Sequence, residues 1–380
     1  MKGLFYLDNS ATTKPCDEAV QAALDAMKNN YGNPSSLYEF GMLAEDIITS
    51  ARGEIAKKLL CREDEIFFTS CGSESNSTAI FGAVKLGKRR GKHIITTTIE
   101  HPSVLEPTHY LEKNGYEVTY LKPNENGNIS VEELSNAIRP DTVLVSMMYV
   151  NNEVGSILPV EKIRPTLIQK NSNALIHIDC VQAFGKLNIN PQSLGADLLS
   201  FSAHKIHGIK GAGALYVKKG TNLPPFLLGG GQEKGLRSGT EAVPAIAAFG
   251  AAVKALPNTA DAFKKITEIN NYCRNGLKQF DNVLINSAEN GSPYILNLSF
   301  LGYRSETLLH FLERSLICVS SGSACSKGKG SYVLREMGLK SDRVDSALRL
   351  SFSPNTTLDE IDAFLTALKG ATSLIRNKNR

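Results

Sequence analysis

No Cys-x-x-Cys pair occurs in this chain, and its seven cysteines stand apart at positions 16, 61, 71, 180, 273, 318 and 325. A disulfide framework or a structural zinc site needs closely spaced, paired thiols, so neither is expected, and any functional cysteine acts singly. His204 and His207 are three apart, but they flank a lysine and lack a third ligand nearby, so no metal site is expected. No stretch approaches the roughly 20 apolar residues of a membrane span. Net charge is only +4, from 42 Lys and Arg against 38 Asp and Glu, and it is scattered. That excludes the basic face of a nucleic-acid binder. The cluster Lys85, Lys88, Arg89, Arg90 and Lys92 reads as the solvated end of a helix, and residues 376–380 read as a frayed tail. The start, Met1 to Asp8, is too short and too soon polar for a signal peptide, which makes a cytoplasmic protein the expectation.

At 380 residues the chain is long enough for two cores. Hydrophobic residues at 42% and charged residues at 21% make an ordinary globular composition. Short apolar, β-branched runs recur at 66–70, 93–100, 116–122, 142–150, 175–179, 197–202 and 213–217. Amphipathic segments at 75–88, 104–114, 131–138 and 160–171 separate most of them. This alternation predicts an α/β fold with a mostly parallel, seven-stranded sheet. Runs 197–202 and 213–217 are too close for a helical crossover and are expected as antiparallel neighbours. Beyond residue 255 the pattern changes. A long helix (260–280) precedes short strands at 283–285, 295–300, 317–319 and 347–352, with helices at 305–314, 331–337 and 358–375. The expected division is a large α/β domain over 15–255, with 1–14 and 256–380 forming a smaller α+β domain.

In an open α/β sheet, ligands bind beyond the carboxyl ends of the strands. The run from Asp197 to Val217 delivers Ser202, His204 and Lys205 to such an end, and glycines 208, 211 and 213 lead into the next strand. A lysine beside hydroxyl and imidazole donors suits a Schiff-base lysine next to a bound phosphate, although alone Lys205 reads as a solvated surface charge. The first strand leads into Thr69-Ser-Cys-Gly-Ser-Glu-Ser-Asn76, where Gly72 and Ser73 open a helix. Its free N–H groups and dipole form a phosphate site, and an ordinary helix cap would use the same residue types. Glu100-His101-Pro102 ends the second strand, where a histidine fixed by proline can stack on a flat ring, move protons or serve a structural role. Asn151 and Asn152 follow nine mainly apolar residues and read equally as turn formers or ligand-facing groups. Asp179 closes a buried strand and needs a cation or hydrogen bonds. A protonated pyridine nitrogen supplies both and makes its ring a better electron sink, with Gln182 within reach of the ring hydroxyl. Phosphate, ring and imine partners at five strand ends converge on one ligand, pyridoxal 5′-phosphate.

On these residues the chain resembles the fold-type I pyridoxal phosphate enzymes of the cysteine desulfurase family, the NifS/IscS-like group of class-V aminotransferases. The resemblance covers nearly the whole chain. It runs from Leu7-Asp-Asn-Ser-Ala-Thr12 and Tyr31-Gly-Asn-Pro-Ser-Ser36 to Ser320-Ser-Gly-Ser-Ala-Cys325 and Leu348-Arg349-Leu350-Ser351. It implies that Lys205 carries the cofactor, Asp179 pairs with the pyridine nitrogen, Gln182 contacts the phenolic oxygen and His101 stacks on the ring. It places Asn152 beside the cofactor or substrate, and Ser73, Ser202 and His204 on the phosphate at the helix start marked by Gly72. Segment 229–240 resembles one in which a threonine reaches the phosphate of a second subunit, so Thr240 implies a homodimer.

The run 320–330 is polar and glycine-rich, and it offers Cys325 nothing apolar to pack against. Lys327 and Lys329 nearby favour a thiolate. Cys16, Cys61, Cys273 and Cys318 read as small buried hydrophobes, whereas Cys71 and Cys180 fall at cofactor-lining positions. Arg349, in an apolar strand, needs an anion. An internal salt bridge would serve, as would the substrate α-carboxylate that the resemblance implies, assisted by Asn33. The implied reaction converts L-cysteine to L-alanine and leaves the sulfur on Cys325 as a persulfide. The acceptor implied is an iron–sulfur scaffold or a tRNA- or cofactor-thiolation protein. The sequence ends after one terminal helix, shorter than the tail with which the iron–sulfur branch docks its scaffold, so the acceptor stays open. Two alternatives remain: a selenocysteine lyase or another lyase or aminotransferase of this fold, and a non-catalytic pyridoxal phosphate adaptor.

Overall fold

The computed structural model describes residues 3–321 and 330–374. Its first elements are β1 (Phe5–Tyr6), α1 (Asp17–Asn29), α2 (Glu39–Leu59), β2 (Ile66–Thr69), α3 (Gly72–Gly87), β3 (His93–Thr97), α4 (Pro102–Lys113) and β4 (Glu117–Leu121). There follow α5 (Val131–Ala137), β5 (Thr142–Met148), α6 (Ile163–Gln169), β6 (Leu175–Asp179), β7 (Leu198–Ser202), β8 (Gly213–Val217) and α7 (Val243–Lys254). The last are α8 (Thr259–Leu277), β9 (Val283–Ile285), β10 (Ile295–Phe300), α9 (Ser305–Arg314), β11 (Ile317–Cys318), α10 (Tyr332–Glu336), α11 (Ser341–Asp345), β12 (Ala347–Ser351) and α12 (Leu358–Leu374).

Seven strands form one sheet in the order β2-β8-β7-β6-β5-β3-β4. Only β8 runs against its neighbours, β2 and β7, and the remaining pairs are parallel. This is the α/β architecture read from the sequence, including the antiparallel pair. Successive residues of a strand face opposite sides of a sheet. Ile94, Leu144 and Leu198 therefore pack in one cluster with Ala79, Ile80 and Val104 of α3 and α4. Ile95, Val145 and Leu199 pack on the other face in the main cluster, with Ile48 and Ile55 of α2. Every residue of β5 and β7 is buried, as a parallel sheet covered on both faces requires.

Strand registers bring the chemistry to one edge. Thr69 and Ser202 both pair with Gly213, Asp179 pairs with Ser200, and Met148 pairs with Asp179. A Cβ on Gly213 would lie 2.6 Å from the carbonyl carbon of Cys71, so only glycine lets β8 begin beneath the turn into α3.

The second sheet is antiparallel, in the order β12-β10-β9. Beside it, β1 pairs in parallel with β11, and bridges from Asp8 to Ser351 and from Ser320 to Arg349 tie this pair to β12. α12 buries Ile361, Phe364, Leu368 and Ala371, the spacing of one helical face. The helix read over 160–171 is a 3-10 turn at Val160–Lys162 followed by α6. Pro165 sits in the first turn of α6, where its missing N–H removes no helical bond.

His177 in β6 is fully buried, with Ser146 Oγ 2.8 Å from Nδ1 and Ser200 Oγ 2.9 Å from Nε2. Burial pushes its pKa down to about 3, so the ring is neutral and shares its one proton within this hydroxyl pair. The folded pKa lies below the unfolded value, so the unfolded chain binds the extra proton as pH falls through the window between them. Urea unfolding is expected to show a loss of about 2 kcal/mol from this group between neutral pH and about pH 4.5. His177→Gln should flatten that part of the pH dependence, and an unchanged slope would contradict the assignment.

Candidate active site

A cavity of about 410 Å³ opens at the carboxyl edge of the large sheet. The start of α3 contributes Gly72, Ser73 and Asn76, and the end of β3 leads to His101 and Ser103. Asn152 follows β5, Asp179 and Gln182 follow β6, and Ser202, His204 and Lys205 follow β7. The N-terminal segment adds Asp8 and Ser10, and the second sheet side adds Ser320, Tyr332 and Arg349. A larger groove of about 860 Å³ runs between α8 and residues 283–293, but it holds none of the residues singled out from the sequence. The smaller cavity is the candidate site because titratable groups and unpartnered polar atoms converge there.

Asp179 is buried, and its carboxylate accepts from Asn76 Nδ2 at 2.8 Å and from the Val181 N–H at 2.9 Å. Asn76 Nδ2 also donates to Ser103 Oγ at 2.8 Å. His101 caps α4: the N–H of Ser103 donates to His101 Nδ1 at 3.1 Å, which leaves the proton of the neutral ring on Nε2. Burial pushes the imidazole pKa down and the charge of Lys205 adds to this, against the opposing charge of Asp179. Behind His101, Glu100 is fully buried, and that burial, with the charge of Asp179, pushes its carboxyl up to about 8 despite hydrogen bonds from Met148 and Thr97. It is a protonated acid at neutral pH.

Lys205 Nζ donates to the carbonyls of Ser10 at 2.5 Å and Ala11 at 2.8 Å. Gln182 Nε2 donates to the same Ser10 carbonyl at 2.9 Å. His204 Nδ1 lies 3.1 Å from Thr12 Oγ1, and burial together with Lys205, Lys210 and Lys186 pushes its pKa down to about 4. Arg349 donates to Asp8 Oδ1 at 2.8 Å and to the carbonyl of Asn152 at 2.9 Å. Both readings of Arg349 therefore have a basis: an internal ion pair exists, and the residue lines the cavity.

Five buried polar atoms of cavity-lining residues have no hydrogen-bond partner among the described residues: Ser10 Oγ, Asn76 Oδ1, Asn152 Oδ1, Ser202 Oγ and Arg349 Nε. A buried polar atom left unpaired costs about 1–3 kcal/mol, so this concentration fits a polar ligand that completes the set. The residues fit pyridoxal phosphate. The start of α3, Ser202 and His204 offer donors for a phosphate, Asp179 offers a carboxylate for a ring nitrogen, and Lys205 offers the amine. The Cys71 side chain does not cap α3, so the first turn keeps N–H groups for an anion. A Cβ on Gly72 would come within 2.9 Å of Val181 Cγ2, which sets the width of the cavity at that point.

Not every residue named from the sequence lines this chain's own cavity. Asn33 sits on an exposed turn, where its Oδ1 accepts from the Ser35 N–H at 3.0 Å, and it is absent from this cavity's lining. Thr240 is exposed and also outside the lining, three residues from Arg237, which pairs with Glu74 of α3 at 2.8 Å. Cys325 lies outside the described residues. In turn, the structure adds Asp8, Ser10, Asn76 and Ser103, which the sequence reading did not single out. Asp8 and Ser10 stand in the motif Leu7 to Thr12, and Asn76 stands one helical turn beyond Gly72 on the same helix.

The sequence matches the aminotransferase class-V family over residues 5–364, and the chain belongs to that family. It is 40% identical to cysteine desulfurase IscS of Buchnera aphidicola subsp. Baizongia pistaciae, over 99% of this chain and 95% of that protein. A solved NifS-like protein superposes with a TM-score of 0.93 at 36% identity, covering 98% of this chain and 100% of that one. A structure of SspA in complex with cysteine superposes with a TM-score of 0.82 at 34% identity, covering 93% and 99%. Pyridoxal phosphate is the cofactor of the family, in accord with the fit of the cavity.

Asn76→Ala removes the side-chain donor from Asp179. The expected result is a roughly tenfold weaker affinity for pyridoxal phosphate, the scale of one hydrogen bond to a charged group. Absorbance titration of the apoprotein measures it, and an unchanged affinity would contradict this role.

Proposed function

We propose that this chain is a pyridoxal phosphate-dependent cysteine desulfurase that converts L-cysteine to L-alanine and transfers the sulfur to Cys325. The observation that carries the reading is the convergence of Lys205, Asp179 and Arg349 on one cavity, in a chain 40% identical over its length to proteins named cysteine desulfurase.

Pyridoxal phosphate, when bound, supplies a ring that takes up negative charge from the substrate Cα. Lys205 Nζ removes the Cα proton and returns it, held meanwhile by the carbonyls of Ser10 and Ala11. Asp179, fixed by Asn76 and the Val181 N–H, is the carboxylate that would pair with a protonated ring nitrogen. His101 holds a proton on Nε2 at the cavity wall, and Arg349 binds the substrate carboxylate through N–H groups that Asp8 orients. The Cys325 thiolate attacks the substrate sulfur. The new S–S bond forms as the substrate S–Cβ bond breaks, and Cβ takes a proton, which balances cysteine plus thiol against alanine plus persulfide. A protein acceptor of an iron–sulfur scaffold or thiolation type then takes the sulfur, in the cytoplasm.

A homodimer is part of this reading. Thr240 lies outside its own chain's cavity lining, and Tyr31, Leu37, Tyr38 and Leu228 are large apolar side chains left 61–97% exposed. Such a surface fits a second copy of the chain. We also place a domain division near residue 255, with residues 1–14 joining the C-terminal part, as the pairing of β1 with β11 supports.

The test is alanine and sulfide formation from L-cysteine by the loaded enzyme with dithiothreitol. Wild type should give both in equal amounts. Cys325→Ala should lose both by about a hundredfold or more while keeping its cofactor absorbance, in line with removal of a covalent nucleophile. Retention of sulfide release by that variant would overturn the assignment of the nucleophile. Arg349→Ala should raise KM for cysteine by roughly tenfold or more, the loss of a charge-assisted contact, with cofactor binding retained.

A further inference from the structure

Lys186 is 7% exposed, yet the interactions of its ammonium group among the described residues include no carboxylate. Nζ donates to Gln182 Oε1 at 2.9 Å and lies 5.8 Å from the centre of the Tyr294 ring. The charges acting on it are those of Lys205 and Arg349, both of its own sign, and His204 and His207 are in turn affected by its charge. Burial, and then these two cations, push its pKa down to about 7. A lysine kept in such surroundings lowers stability unless it does something that an apolar residue could not.

The neighbouring hydrogen bonds supply that task. Gln182 is buried and lines the cavity, and its amide has chemically opposite ends. Nε2 donates to the Ser10 carbonyl, the same oxygen that receives Lys205 Nζ. A flipped amide would set its NH2 group against the Lys186 donor and its oxygen against the Ser10 carbonyl, losing both bonds. We propose that Lys186 is a positioning residue that locks the Gln182 amide with its N–H group at the Ser10 and Lys205 side of the cavity, so that Gln182 acts as a donor toward the cofactor's ring oxygen. A donor there favours negative charge on that oxygen and disfavours a proton on the adjoining chromophore. This rests on the reading of Gln182 as a cofactor contact.

The readout is the pH midpoint of the visible absorbance of the loaded enzyme, followed without substrate in wild type, Gln182→Leu, Lys186→Met and the double variant. Each single variant should raise the midpoint by about one pH unit. The double variant should move it little further, because Lys186 acts through Gln182. No shift in Gln182→Leu would overturn the reading of Gln182 itself. A shift in Gln182→Leu with none in Lys186→Met, or additive shifts in the double variant, would overturn the role of Lys186 alone. If Lys186→Met does not load, Lys186→Gln decides, since it keeps an N–H donor without the charge. A wild-type midpoint supports amide positioning, and a raised one overturns it in favour of charge.

Discussion

Residues 8–13 hold the two sheets together at the site, and the cavity depends on that one segment. Asn9 Nδ2 donates to the Ser351 carbonyl at 2.9 Å, and the Ser10 N–H donates to Ser351 Oγ at 2.8 Å, which bind the segment to β12. Three residues on, the Thr13 N–H donates to the His204 carbonyl at 2.9 Å, which binds it to the end of β7. Within this segment the Ser10 carbonyl receives both Lys205 and Gln182, and Asp8 receives Arg349. Lys205 and Arg349 come from different sheets. Six residues of chain fix their separation, which is the arrangement that a reaction on a small amino acid requires.

The electrostatics around this segment favour an anionic ligand. Lys205, Lys186 and Arg349 crowd one region, where Asp8 pairs with Arg349 and Asp179 is held by neutral donors. His204 and His101 are pushed toward their neutral forms, so they serve as hydrogen-bond partners rather than as further positive charges. Glu100 beneath the site is protonated at neutral pH and adds no competing negative charge. A phosphate and a carboxylate bound together would balance these cations and satisfy the polar atoms that the protein leaves unpaired.

Much of this was legible in the sequence. The strands of the large sheet are mostly apolar runs of four to seven residues, and Lys205, Asp179, His101 and Ser202 lie at or just beyond their ends as strand-end reading expects. The harder parts were those whose signal lies elsewhere in the chain. β1 is two residues long and is defined by its pairing with β11, more than 300 residues away, so no local periodicity marks it. α1 faces the core through Ala19, Ala23 and Ala26, a stripe too weakly apolar to stand out. Lys186 reads locally as a polar residue after a turn, and only the fold buries it beside Gln182. Asn33 stands in a motif of the resemblance, yet its loop carries it away from the cavity of its own chain.

Lys205, among several lysines near the site, is the residue proposed to carry the cofactor. Reduction of the loaded enzyme with borohydride, followed by proteolysis and mass spectrometry, tests it directly. A pyridoxyl group is expected on the peptide containing Lys205 and on no other. A pyridoxyl group on Lys186, or on no lysine while the cofactor remains bound, would contradict it.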